Sequence, residues 1–157
     1  AQDEETMTNF TLGQYAILKH EMNLHRAYMQ EYGIKLEDAE QAQTALFNSA
    51  YTGNMLTVGQ KYGAAEIMAV VLPCAWSYYD FASRLQKDYA GKLQVNPYAS
   101  WLDMYTGQEY LESFEWYFAA HDKDADNKSQ KEFECLENIF FVSVEFAYLF
   151  WDMAYKQ

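Results

Sequence analysis

Proline and glycine are scarce: this chain of 157 residues has two prolines and seven glycines. So little turn chemistry argues against a turn-dense β-sandwich and suits long helices. Basic residues are few as well, 11 Lys and Arg against 23 Asp and Glu, for a formal net charge of −12. That negative excess repels phosphate backbones and anionic lipid surfaces, so neither nucleic acid nor a membrane is expected as a partner. The two cysteines, Cys74 and Cys135, are too few for a disulfide framework and read as free thiols of a reducing compartment. No apolar run spans a bilayer, since Ile67–Trp76 is short and Ile139–Trp151 is interrupted by Glu145. The opening Ala1-Gln2-Asp3-Glu4-Glu5 is acidic where a secretion signal is basic and then apolar, and the chain reads as soluble and cytoplasmic.

Apolar residues are plentiful at 50%, which excludes disorder and supplies a core for one domain, residues 1–157. Rings are in excess, with 14 Tyr, 10 Phe and 4 Trp, and ring-rich pockets are one place such an excess goes.

Helical periodicity covers almost the whole chain. A first helix over about Glu5 to Tyr32 carries Leu12, Tyr15, Ala16, Leu18 and Met22 at helical spacing, and Gly33 follows as a left-handed cap. A second runs from Asp38 to Gln60. The third, Ala64 to Tyr89, is apolar nearly all round in its first half, which predicts the central buried helix. Pro73 removes a backbone donor in its middle, so a kink is expected beside Cys74. Asn96-Pro97 opens a short helix through Tyr105. Thr106-Gly107-Gln108-Glu109 and Ser129-Gln130-Lys131-Glu132 read as capping boxes for the last two helices, with a charged loop from Asp122 to Lys128 between them. No segment alternates as a strand, and the fold class is all-α.

Three constellations could carry chemistry. Asp122, Asp124 and Asp126 imitate the start of a calcium loop, but Asn127 stands where the loop needs glycine and Phe133 where it needs a bidentate Glu. Glu21 and His25 lie one helical turn apart and could face a metal. A di-iron bundle wants several such pairs, and with His20, His25 and His121 as the only histidines, a hydrogen-bonding role is the simpler one. Cys74 shares a helix face with Tyr78 next to the proline. It is either a small buried hydrophobe or a nucleophile, and the hydroxyls of Tyr51, Tyr78, Tyr98 and Tyr105 are candidates to converge on it. On the second reading, Cys74 is expected to be more reactive than Cys135.

These residues stand in a recognisable order. His20-Glu21-Met22-x-Leu24-His25 comes first, then Tyr51-Thr52, Leu72-Pro73-Cys74-x-Trp76-x-Tyr78-Tyr79, Pro97-Tyr98-x-x-Trp101-x-x-x-Tyr105 and Phe150-Trp151-Asp152-Met153-Ala154-Tyr155. In this order the chain resembles the TenA, or thiaminase II, family. The resemblance implies a heme-oxygenase-like helical bundle, a homotetramer, and hydrolysis at the aminomethyl carbon of 4-amino-5-aminomethyl-2-methylpyrimidine or of thiamin. It puts the nucleophile at Cys74, substrate-binding tyrosines at Tyr51, Tyr78 and Tyr105, and a closing aromatic wall at Phe150. No metal or organic cofactor is implied, because a thiol and an acid suffice for a covalent route.

Two departures qualify the resemblance. The family begins with helices ahead of this chain's first residue, and they carry an aspartate for the aminopyrimidine edge. Asp3 stands too close to Glu21 to take that role. The family acid, four residues before the Trp of Phe-Trp, falls here on Ala147, and Glu145 lies about 200° round the helix. The expectation is therefore a hydrolase scaffold impaired at its acid. The alternatives are a non-catalytic pyrimidine-binding or regulatory protein of the same family and a heme-oxygenase-like di-iron oxygenase.

Overall fold

The computed structural model describes residues 3–92, 96–125 and 128–156, and these residues form helices joined by short connections. In chain order they are α1 (Glu4–Ala16), a π-helical turn (Ile17–Glu21), α2 (Met22–Glu31), α3 (Leu36–Gln41), α4 (Leu46–Lys61), α5 (Ala64–Tyr89), α6 (Ala99–Thr106), α7 (Gln108–Ala125) and α8 (Gln130–Tyr155). No strand occurs among the described residues.

Helix α5 has the bounds expected of it and is the central element, packed against α4, α6, α7 and α8. Its start is fixed by the Glu66 carboxylate, which accepts the Gly63 N–H at 3.0 Å and so satisfies a donor at the helix entry. Its first half is apolar on every side because it is enclosed: Ala65, Met68, Ala69, Val70, Leu72 and Pro73 are all buried. The helix continues through Pro73 as a single element.

Two clusters hold the bundle together from different sides of α5. An aliphatic one joins Val58 of α4, Ala65, Ala69 and Val70 of α5, and Leu136 and Ile139 of α8. Each of its Val, Leu and Ile side chains, taken from water to full burial, contributes about 1.5–3 kcal/mol. The other joins Ala82 to Leu102 and Tyr105 of α6, with Tyr78, Trp101, Met104 and Tyr110 packed on it.

Several sequence expectations are corrected. The first helix is interrupted by the π-helical turn, and none of α1, that turn or α2 contributes a buried residue. Leu12 and Leu18 have helical spacing but are 59% and 65% exposed, because nothing among the described residues covers that face. Helix α1 instead docks on α7, where the Phe10 ring meets Trp116 edge-on at 5.3 Å. The second expected helix is two, α3 and α4, since Ala42 and Ala45 take extended backbone. Ala-Gln-Thr-Ala is a helix-compatible sequence, so propensity does not make this break; α4 buries Tyr51 and Val58 while α3 buries nothing.

Thr106 does not cap α7. It ends α6, and its hydroxyl donates to the Leu102 carbonyl at 2.8 Å. The short helix begins at Ala99 and not at Pro97, after a turn in which the Asn96 side chain accepts the Tyr98 N–H at 2.9 Å. Helix α7 extends to Ala125 and takes Asp122 and Asp124 with it, while Asp126 and Asn127 lie outside the described residues. The Ser129–Glu132 capping box is present, with the Ser129 N–H donating to Glu132 at 2.8 Å. Gly33 has φ of +70°, the left-handed geometry that a residue without a β-carbon adopts at no steric cost.

Candidate active site

Cys74 sits half-buried on α5, one residue after Pro73 and one turn before Tyr78. Three hydroxyls are anchored to the carbonyls of this turn and its neighbours. Ser143 of α8 donates to the Val70 carbonyl at 2.6 Å, Ser77 to that of Cys74 at 3.2 Å, and Tyr110 of α7 to that of Ala75 at 3.0 Å. Ser143 is completely buried, and its oxygen lies 3.5 Å from the hydroxyl of Tyr51 on α4. The Tyr51 hydroxyl favours ionisation of the nearby Cys74 thiol, and the Tyr51 ring stacks on Phe146 at 5.8 Å.

Beyond Tyr78 the rings form a continuous wall. Tyr78 lies 4.7 Å from Tyr105 and 5.1 Å from Trp151, and Tyr105 lies 4.5 Å from Trp101 and 4.8 Å from Tyr110. The wall has a carboxylate at its edge. Tyr105 donates its hydroxyl proton to Glu21 Oε1 at 3.2 Å, and His25 Nε2 stands 3.8 Å from the same oxygen.

Burial sets the electrostatics. It pushes the Cys74 thiol above the ordinary thiol range. The Glu21 charge adds to that shift, and the Tyr51 hydroxyl partly offsets it. The thiol is therefore uncharged at rest. Tyr51, Tyr78, Tyr105 and Tyr110 are also pushed up by burial, so all four keep their protons at neutral pH.

Of the residues singled out from sequence, Cys74, Tyr51, Tyr78 and Tyr105 come together. Tyr98 does not; it is 61% exposed, because the turn that opens α6 lies at the surface. Phe150 is half-buried, with its ring 6.1 Å from Trp151. Ala147 is buried and lines a depression of about 230 Å³ with Pro73, Ser77, Phe81 and Trp151, whose lining includes none of Cys74, Tyr51, Tyr78 and Tyr105. Glu145 is exposed. Among the described residues no group of three His, Cys, Asp or Glu side chains could hold a metal ion. A larger cavity of about 670 Å³ lies elsewhere, between the start of α1, the α5 entry and α7, and shares no residue with this cluster.

Sequence reasoning passed over Ser143, Trp151 and Glu21 as members of the site. Ser143 and Trp151 had a signal, since each is one helical turn from Ala147 and shares its face. Glu21 had none beyond its pairing with His25, because only the approach of α6 brings Tyr105 to it.

The arrangement sets a thiol beside a wall of packed rings with a carboxylate at its edge. Comparison with known proteins gives it a context. The model of the TENA/THI-4/PQQC family matches residues 1–157. An aminopyrimidine aminohydrolase of Halalkalibacterium halodurans is 37% identical over 155 residues, covering 99% of this chain and 69% of that protein. One of Helicobacter pylori is 35% identical over 156 residues, covering 99% of this chain and 71% of that protein. A solved TenA homologue from P. horikoshii OT3 superposes with a TM-score of 0.74 at 28% identity, over 90% of this chain and 64% of that one. The chain thus spans less than two thirds of that structure and about seven tenths of the two bacterial proteins.

Proposed function

Because this chain belongs to the TENA/THI-4/PQQC family, we propose that it is a thiaminase II-type aminopyrimidine aminohydrolase. Its substrate is 4-amino-5-aminomethyl-2-methylpyrimidine or thiamin, and its reaction replaces the amine or thiazole on the C5 methylene with water. The observation that carries this reading is the meeting of Cys74 with Tyr51, Tyr78 and Tyr105, drawn from α4, α5 and α6, in a chain that matches the family along its whole length.

The chemistry follows from the residues. The Cys74 sulfur adds to a carbon of the pyrimidine ring while its proton passes to the neighbouring ring nitrogen, which takes the displaced electron pair, and the ring's aromatic conjugation is broken. The C5 methylene then expels its amine or thiazole, which carries away the C–N electron pair. Water adds at the methylene carbon, and loss of the sulfur restores the ring and the thiol. Tyr51 lines the ring beside the sulfur. Tyr78 and Tyr105 keep their protons and so remain available as hydrogen-bonding groups. Phe150 closes the aromatic side. Alanine at position 147 leaves the family acid's position empty of a carboxylate, so turnover is impaired relative to binding. The reading includes a cytoplasmic homotetramer, supported by exposed apolar side chains such as Leu12, Leu18, Leu46 and Tyr155.

The test is ammonia release from 4-amino-5-aminomethyl-2-methylpyrimidine by the protein and by Cys74→Ser. Loss of at least about 10³-fold in the variant is expected for removal of a nucleophile. Unchanged turnover in Cys74→Ser would sink the assignment of the sulfur. Tight pyrimidine binding without any ammonia release would favour the non-catalytic alternative instead.

A further inference from the structure

Glu21 is the carboxylate of the cluster, and the proposed reaction gives it no role. It closes the π-helical turn with its side chain 35% exposed, so it faces both the aromatic wall and solvent. One oxygen accepts the Tyr105 proton at 3.2 Å and has His25 at 3.8 Å. No lysine or arginine is paired with it among the described ion pairs, and the histidine is a cation only when protonated. The groups facing it from the packed elements are Cys74 and Tyr78 of α5, Tyr105 of α6 and Tyr110 of α7, and its charge opposes ionisation of all four. The site therefore holds one negative charge among neutral acids. A neutral ring gains little from that charge, whereas a ligand with a positive group gains a partner in a partly desolvated setting, where Coulomb attraction exceeds its value in water.

From the placement of this carboxylate at the edge of the aromatic wall, we infer that Glu21 is the specificity residue that selects substrates with a cationic leaving group. The inference rests on the aminopyrimidine reading and names what that reading leaves open. An aminomethyl group is an alkylamine and carries a proton near neutral pH. The thiazolium of thiamin is a permanent cation. In both, the charge sits on the group to be expelled, and the product, with a hydroxyl in that place, is neutral. The same carboxylate thus favours substrate over product. A cation beside Glu21 also cancels the charge that opposes ionisation of Cys74, so the nucleophile is easier to form once the correct substrate is bound.

The test compares binding of two pyrimidines that differ only in charge, 4-amino-5-aminomethyl-2-methylpyrimidine and its neutral 5-hydroxymethyl counterpart. Calorimetric titration is done on the Cys74→Ser background, where ligand is not consumed. The aminomethyl compound should bind at least about tenfold more tightly, a modest expectation for a charge pair in a half-buried site. Adding Glu21→Gln should remove that preference while changing affinity for the hydroxymethyl compound by less than about threefold. Glu21→Asp, which keeps the charge on a shorter stem, should retain part of it. An unchanged preference in Glu21→Gln, or equal weakening of both ligands, overturns the inference and leaves the aminopyrimidine reading standing. Failure of the aminomethyl compound to bind before Glu21 is altered overturns both.

Discussion

The two sides of α5 are built from different materials. Toward α4 and α8 it packs aliphatic side chains, Val58, Ala69, Val70, Leu136 and Ile139, whose burial leaves no polar group to satisfy. Toward α6 and α7 it packs rings, among them Tyr105 and Tyr110, whose hydroxyls would cost about 1–3 kcal/mol each if buried without a partner. Those hydroxyls are paired, Tyr105 with Glu21 and Tyr110 with the Ala75 carbonyl. The aliphatic cluster therefore contributes stability alone, while beyond it α4 gives Tyr51 and α8 gives Ser143 and Trp151 to the site. The aromatic cluster contributes stability too, and its need for hydrogen-bond partners draws in a carboxylate. Cys135 packs against the aliphatic cluster, and Cys74 lies one turn before Tyr78 of the aromatic one.

The largest test of this division is Ile139→Ala. It empties space in the aliphatic cluster and should cost about 3 kcal/mol of stability, measured by denaturant unfolding. Activity per folded molecule should stay within about twofold, since Ile139 touches none of the site groups. A large loss of activity in protein shown to be folded would break the comparison.

Next in size is Ala147→Glu. A carboxyl group there, beside Pro73 and Trp151, can protonate the departing amine and then activate water. A rise in ammonia release of at least about tenfold is expected, against the 10²- to 10⁴-fold usual for acid–base groups. Its partner Glu145→Gln should change little, because Glu145 points to solvent. If Glu145→Gln removes the activity, the acid has to be reassigned to that residue.

The smallest effect sharpens the contrast at the sulfur. Burial and the Glu21 charge both disfavour the thiolate of Cys74, so its ionised fraction at neutral pH lies below that of an ordinary cysteine. Alkylation of Cys74 by iodoacetamide, followed by peptide mass mapping across pH, should rise only beyond the usual thiol range. In Glu21→Gln the rise should move to lower pH, since one of the two causes is gone. A midpoint below about 8.5 in the unaltered protein would show that the thiolate is stabilised after all.

How much of this was legible in advance varied with distance along the chain. The bounds of α5, the Ser129 cap and the left-handed Gly33 were readable, because each depends on residues within a few positions of one another. Cys74, Tyr51, Tyr78 and Tyr105 were legible as a set only through the order of the motifs that contain them. Periodicity did not foretell the exposed face of α1 or the exposed ring of Tyr98, since helical spacing says which residues share a face and not whether anything covers it.

By itself the sequence determined that the chain is helical, where its central helix begins and ends, and which residue types are available for chemistry. Propensity, capping and the rarity of proline and glycine act locally, and they act the same way whatever the helices later meet. The tertiary structure alone decided that Glu21 lies against Tyr105, 84 positions away in the chain, and that Ser143 reaches Val70 across 73. It also decided that the break between α3 and α4 falls where propensity would have continued a helix. The reason is that a charge or a hydroxyl gains its meaning from the group opposite, and only the packing of α4, α6, α7 and α8 around α5 chooses that group.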